Sequence, residues 1–218
     1  MSGPLGAAAL VLLAYLIGAI PFGMLAGRLA GGIDLRRHGS QRTGATNALR
    51  TLGLRWAAAV FVLDVGKGVA ATLLARGLYV AAPAGSPEWV VAACGVAAVV
   101  GHNWSVFIGF GGGRGVATSA GGLLGISPLT LAAVVPLVAL VVWRTRFVSL
   151  GSLVAATAAP LITAVLAAMS MVGWAAVAYA LGAGILIVVS HTDNLTRLRS
   201  GTERRIGERE VVRSDGRG

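Results

Sequence analysis

Residues 5–25, 56–75, 89–108, 150–168 and 172–190 each form a nearly unbroken apolar run, and that recurrence limits the fold more than any other feature. About 20 such residues are what a helix needs to cross the ~30 Å hydrocarbon core of a bilayer. In lipid every backbone polar group must find its partner inside the protein, which favours helices over irregular chain. Composition agrees, with 12% charged residues and a mean hydropathy of +0.81, against roughly 25% charged in a soluble domain. The fold class is therefore an all-α integral membrane protein. No basic segment precedes the first run, so it reads as a retained span and not as a signal peptide.

The stretch 116–143 decides the topology. It is either one long helix or two segments divided at Ile126-Ser127-Pro128. Proline disfavours the helical conformation in the residue before it, which predicts the division. Two segments give seven transmembrane segments with alternating connections. One side then holds Arg28, Arg36, Arg37, Arg42, Arg50, Arg55, Arg114, Arg144, Arg146 and the tail arginines, and the other only Arg76. A single segment would give six spans and carry Arg144, Arg146 and the tail across the membrane. Cytoplasmic connections carry the Lys/Arg excess. The reading is a multi-pass plasma-membrane protein with its N-terminus outside and its C-terminus in the cytoplasm. Its fourth segment, 116–126, gives only roughly 16 Å of helix, so other helices must shield it, or the loop before it must dip into the membrane. A single seven-helix domain over 1–200 is expected, followed by a mobile basic cytoplasmic tail over 201–218.

The formal net charge of +10 does not indicate nucleic acid, because the arginines lie between and after the apolar runs. Aromatics make up 6% of the chain, and no RNA-binding motif is present. The one cysteine, Cys94, lies in an apolar run and reads as a small buried hydrophobe. With no HExxH, CxxC or Cys/His cluster, neither a metal nor a cofactor is expected.

Chemistry concentrates at Gly109-Phe110-Gly111-Gly112-Gly113-Arg114-Gly115-Val116-Ala117-Thr118. Glycine admits positive φ and leaves no Cβ between backbone and ligand. Converging N–H groups at a helix N-terminus suit an anion, and Arg114 adds a planar cation for phosphate oxygens. No Gly-Lys-Ser/Thr ending follows, so this is not a Walker loop. Further polar clusters fall on the same side: His38 to Asn47 with Arg50, His102 with the glycine loop, Arg146 to Ser152, and His191 to Asn194 with Arg197. A shared site for an anionic substrate is the preferred reading over solvated loops. Asp64 and Lys67 lie three apart on one helical face and read first as a structural ion pair, with a substrate contact as the alternative. His102 reads as a hydrogen-bonded residue near the membrane surface, whereas His191 has the better claim to touch substrate. No GxSxG elbow occurs, so Ser40, Ser149 and Ser152 are hydrogen-bond partners and not acylated nucleophiles.

These clusters occur in an order that resembles the bacterial membrane glycerol-3-phosphate acyltransferases that use acyl phosphate as donor. The resemblance runs from Gly18-Ala19-Ile20-Pro21-Phe22-Gly23 to Gly201-Thr202-Glu203. Between them stand Gly39-Ser40 with Gly44-Ala45-Thr46-Asn47, Leu63-Asp64 with Lys67-Gly68, and Gly101-His102. The glycine loop, Val148-Ser149-Leu150 with Ser152, and His191 with Asn194 and Arg197-Leu198 complete the set. It implies seven helices and acyl transfer from acyl phosphate to the sn-1 hydroxyl of glycerol 3-phosphate, giving lysophosphatidic acid and phosphate without a covalent enzyme intermediate. It implies Ser40, Arg50, Arg114, Ser152, His191 and Asn194 as functional positions, with Thr46 and Asn47 in the first motif. His191, Arg114 and Ser152 are assigned to catalysis. Gly112, Gly113 and Gly115 are assigned to the donor phosphate, and membrane lipids are the surroundings of the acyl chain. Four positions depart from the family pattern, one of them Arg205, which stands where the tail usually has lysine. Gln41 stands where glycine is usual and is expected to lose a positive-φ conformation. Arg42 stands where asparagine is usual, and Arg114 replaces a lysine. An enzyme of the same fold with another acceptor, a non-catalytic binder of anionic lipid and a small transporter are the alternatives, although no internal repeat suggests transport.

Overall fold

Proline and glycine punctuate the chain where the helices end. A computed structural model describes residues 3–79 and 87–207, so residues 80–86 of the expected outer loop and 208–218 of the expected tail lie outside the described residues. Within them, all regular structure is helical apart from one isolated bridge between Ser105 and Gly111. The first run forms α1 (Gly3–Ala19), breaks at Ile20-Pro21, and resumes as α2 (Phe22–Leu29). Proline has no N–H to continue the ladder, and at the break the Ile20 carbonyl accepts from both the Phe22 N–H and Lys67 Nζ at 3.1 Å.

A short amphipathic helix, α3 (Ala45–Leu52), precedes α4 (Leu54–Leu78). The third run forms α5 (Pro87–Asn103) and stops five residues before the end of the apolar stretch. There Ser105 turns the chain, accepting from the Phe107 N–H at 3.3 Å and donating to the Ala19 carbonyl at 2.5 Å. The division at Ser127 is present: α6 (Val116–Ile126) ends there and α7 (Pro128–Thr145) begins on the proline. Two further long helices, α8 (Val148–Ala168) and α9 (Trp174–Ser190), follow, and α9 bends by 60° at His191 into the polar α10 (Thr192–Arg199). All seven apolar segments are thus helical. By length and hydropathy alone, four helical stretches among the described residues suffice to span a membrane, Gly3–Leu29, Leu54–Leu78, Pro128–Thr145 and Val148–Ala168, and the bent pair Trp174–Ser190 with Thr192–Arg199 makes a fifth if taken as one span.

The short α6 is enclosed by its neighbours. A Cβ on Gly68 would strike the Thr118 carbonyl, and one on Gly121 would strike the Val65 carbonyl, so α4 and α6 meet backbone to backbone. Small residues permit this approach between helices in lipid, where dispersion and not water exclusion holds them together. On its other side Gly122 makes room for Tyr179, whose hydroxyl donates to the Ser119 carbonyl at 2.8 Å and pins α6 to α9. These two contacts fix the amino end of α6, and the glycine loop before it, at one end of the bundle.

Candidate active site

Three loops and two helix ends converge there. The first loop is folded around one amide. Asn47 Nδ2 donates to the carbonyls of Leu35, His38 and Arg42 at 2.8–3.0 Å, while its Oδ1 accepts from the Ser40 N–H at 2.9 Å. An amide so committed organises the loop and holds Ser40, Arg42 and Thr46 at the edge of the cavity described below. Gln41 has φ +57°, so the left-handed conformation usual for glycine persists with a side chain in place. The expected loss of that geometry does not occur; the surrounding hydrogen bonds over-determine it.

The glycine loop presses on the end of α5. The Gly113 N–H donates to the His102 carbonyl at 3.0 Å, and a Cβ on Gly113 would overlap the His102 ring. Gly112 abuts the carbonyls of His102 and Asn103, and its own carbonyl accepts from the Thr43 N–H at 3.3 Å. These two glycines therefore serve close packing and stay out of the cavity wall, whereas Gly115, Val116 and Ala117 line it. Gly115, at φ +78°, starts α6 and presents the first amides of that helix, which have no intrahelical acceptor.

Arg114 reaches across to α9 and α10, donating from Nε to the Ser190 carbonyl at 3.2 Å and from its terminal nitrogen to Asp193 at 2.6 Å. Partial burial pushes the Asp193 carboxyl up, but the nearby Arg114 and Arg197 outweigh it and hold it below the usual carboxylate range. His191, the first residue beyond α9, pairs Nδ1 with the Ile187 carbonyl at 2.8 Å. A carbonyl oxygen can only accept, so Nδ1 carries the proton and Nε2 keeps its lone pair. Burial, aided by the Arg114 charge, pushes the imidazole down to about 4.

Below these groups, Lys67 and Asp64 pair at 2.9 Å, and His102 Nδ1 lies 3.4 Å from the same carboxylate oxygen. Lys67 thus ties α4 to the α1–α2 break, and Asp64 and His102 also reach the cavity wall.

Together Ser40, Thr46, Asn47, Arg50, Arg114, Gly115, Ser152, His191 and Asn194 surround one cavity of about 260 Å³. An apolar groove of about 390 Å³, bounded by α4, α6, α7, α8 and α9, shares Phe61, Val116, Ala117 and Val138 with it.

A family model described as glycerol-3-phosphate acyltransferase matches residues 8–201. The chain belongs to that family. Among curated relatives, the glycerol-3-phosphate acyltransferase of Geobacter sulfurreducens is 42% identical over 90% of this chain and 95% of the relative. That of Thermus thermophilus is 43% identical over 93% and 96%. The crystal structure of PlsY (YgiH), an integral membrane glycerol 3-phosphate acyltransferase, in its glycerol 3-phosphate form superposes with a TM-score of 0.82 at 36% identity, covering 92% of this chain and 96% of that one. Its lysophosphatidic acid form gives 0.79 at 35%.

One acyltransferase residue that the sequence marks only as the end of the resemblance, with no role in the site, is Glu203. Its buried carboxylate lines the cavity and accepts from Ser149 Oγ at 2.9 Å, Asn194 Nδ2 at 2.7 Å and Arg197 Nε at 2.8 Å. The available signal was an acid set among arginines, with Arg197 and Arg199 before it and Arg204 and Arg205 after. The segment around it folds back onto the bundle: the Ile206 N–H donates to the Arg146 carbonyl, and the Arg146 guanidinium to the Ile206 carbonyl, both at 2.8 Å.

Proposed function

We propose that this family member is a seven-span plasma-membrane enzyme with its site on the cytoplasmic side and its N-terminus outside. It transfers a fatty acyl group from acyl phosphate to the sn-1 hydroxyl of glycerol 3-phosphate, giving lysophosphatidic acid and inorganic phosphate. The observation that carries the reading is the pair of adjoining cavities: one polar and arginine-lined, the other apolar and about 390 Å³ in volume, with four wall residues in common. A phosphorylated head beside an acyl tail is the ligand chemistry such a pair accepts.

The amino end of α6 with Gly115 takes the donor phosphate, supported from behind by Gly112 and Gly113, and the acyl chain lies in the groove. Arg50, Arg114, Ser40 and Ser152 hold the phosphate of the acceptor, and His191 and Asn194 face its hydroxyls. The sn-1 oxygen attacks the acyl carbonyl carbon. The new ester bond forms as the acyl carbon–oxygen bond to phosphate breaks, and phosphate departs with both electrons. The hydroxyl proton passes to a phosphate oxygen, with His191 Nε2 as the alternative acceptor. Acyl phosphate is an activated anhydride, so juxtaposing the two substrates supplies much of the rate, and Arg114 offsets charge developing on phosphate. Purified protein given palmitoyl phosphate and labelled glycerol 3-phosphate is expected to form labelled lysophosphatidic acid. Folded protein that forms none rejects the reading.

A further inference from the structure

Asn194 raises a question that the reaction alone does not answer. Its side chain is buried and lines the polar cavity. Its Nδ2 is spent on Glu203, and its Oδ1 has no partner. An amide can turn either end toward a ligand. Here the orientation is dictated by Glu203 on the cavity wall: a carboxylate only accepts, so it must face the NH2 of Asn194 and leave the carbonyl end unspent. Glu203 is itself fixed by two more donors, Ser149 Oγ on the same oxygen as Asn194 and Arg197 Nε on the other. An acceptor left over in a cavity for phosphate is mismatched to phosphate oxygens. It suits a hydroxyl, which can donate.

We propose that Glu203 is a positioning residue that fixes Asn194 with its carbonyl available to the middle hydroxyl of the acceptor, so that a carboxylate in the C-terminal segment sets discrimination for a vicinal diol phosphate. The inference rests on the acceptor assignment above and adds to it a specificity element lying outside the set of cavity arginines. It also predicts how an isosteric change fails. In Glu203→Gln, the Arg197 Nε–H demands an acceptor, so the new carbonyl turns to Arg197 and the new NH2 turns to Asn194. Two facing NH2 groups repel, and Asn194 rotates to offer its carbonyl to Gln and its NH2 to the ligand. The acceptor for the hydroxyl is lost although the shape of the site is kept.

The test compares two acceptors, glycerol 3-phosphate and 3-hydroxypropyl phosphate, which lacks the middle hydroxyl. Wild type and E203Q, matched by elution profile and melting temperature, are measured by calorimetric binding and by kcat/KM with palmitoyl phosphate. The expected result is a loss of about 10-fold or more for glycerol 3-phosphate, the scale of one hydrogen bond to an otherwise unpaired buried group. Binding and turnover of 3-hydroxypropyl phosphate should change by less than about 3-fold over the same substitution. Equal losses on both ligands would show that Glu203 only braces the fold, and unchanged kinetics on both would show no role; either overturns the inference. Wild type that binds both ligands but makes no acylated product rejects the enzymatic reading instead, while the binding comparison still decides the role of Glu203. N194A should show the same selective loss, since it removes the acceptor directly.

Discussion

Acidifying the substrate-free protein should leave His191 neutral long after an exposed histidine has taken up its proton. The imidazole is 2% exposed, its Nδ1 is committed to the Ile187 carbonyl, and burial with the Arg114 charge pushes it down to about 4. An ordinary histidine protonates near 6.5. Between those two values the folded chain binds fewer protons than the unfolded chain, so stability rises with pH across the window. The contribution is fully present above about pH 6.5 and is lost as pH falls toward 4, by about 3 kcal/mol in all. Imidazole nitrogen shifts of labelled protein in micelles read this directly, with H191Q identifying the resonance among the three histidines. The shifts should place the proton on Nδ1 and show no titration of His191 between pH 8 and 5.5. Adding glycerol 3-phosphate, a dianion beside the ring, should raise the midpoint. A free-protein midpoint at or above 6.5 would refute the effect of burial on the ring, and a proton resting on Nε2 would refute both the tautomer and the mechanism's lone pair.

Three further outcomes are expected. Arg114→Ala should abolish lysophosphatidic acid formation while leaving the protein folded, and Arg114→Lys should retain activity because the charge is kept; near-normal turnover in the alanine variant removes this cation from the reaction. Gln41→Gly should stabilise the protein by up to about 1 kcal/mol, the relief of a left-handed side-chain residue less the greater freedom of glycine when unfolded, read as a rise in melting temperature with unchanged product. Gly121→Ala should destabilise by about 1–3 kcal/mol, because a Cβ there meets the α4 backbone and forces overpacking; an unshifted melting curve would contradict the α4–α6 contact.

Much of this architecture could be read from local chemistry. Pro21 and Pro128 announce helix breaks through a missing N–H, and the basic residues cluster between apolar runs. The short helices α3 and α10 escaped the reading because eight residues give no span-length apolar signal, and their helicity comes from packing against the bundle. Gly112 and Gly113 look the same in sequence as phosphate-cradling glycines. Only the approach of the α5 end shows that their missing side chains make room for His102 and Asn103. The role of Glu203 was hidden for a related reason: its partners come from two separate elements, Ser149 on α8 and Asn194 and Arg197 on α10, and no spacing rule connects the two. The left-handed Gln41 reverses the usual inference from residue type to backbone, since the four hydrogen bonds of Asn47 hold that turn whichever residue occupies it.

The glycine seam between α4 and α6 has a consequence for how ligands are accommodated. With main chain lying against main chain, there is no layer of side chains to compress or re-rotamer, so the amide end of α6 behaves as a rigid anvil. A ligand arriving at that end must fit itself to the protein. Natural variation in substrate choice should therefore accumulate on the opposite walls, in the loop after Gly39 and the segment around Glu203, where side chains and not backbone set the shape.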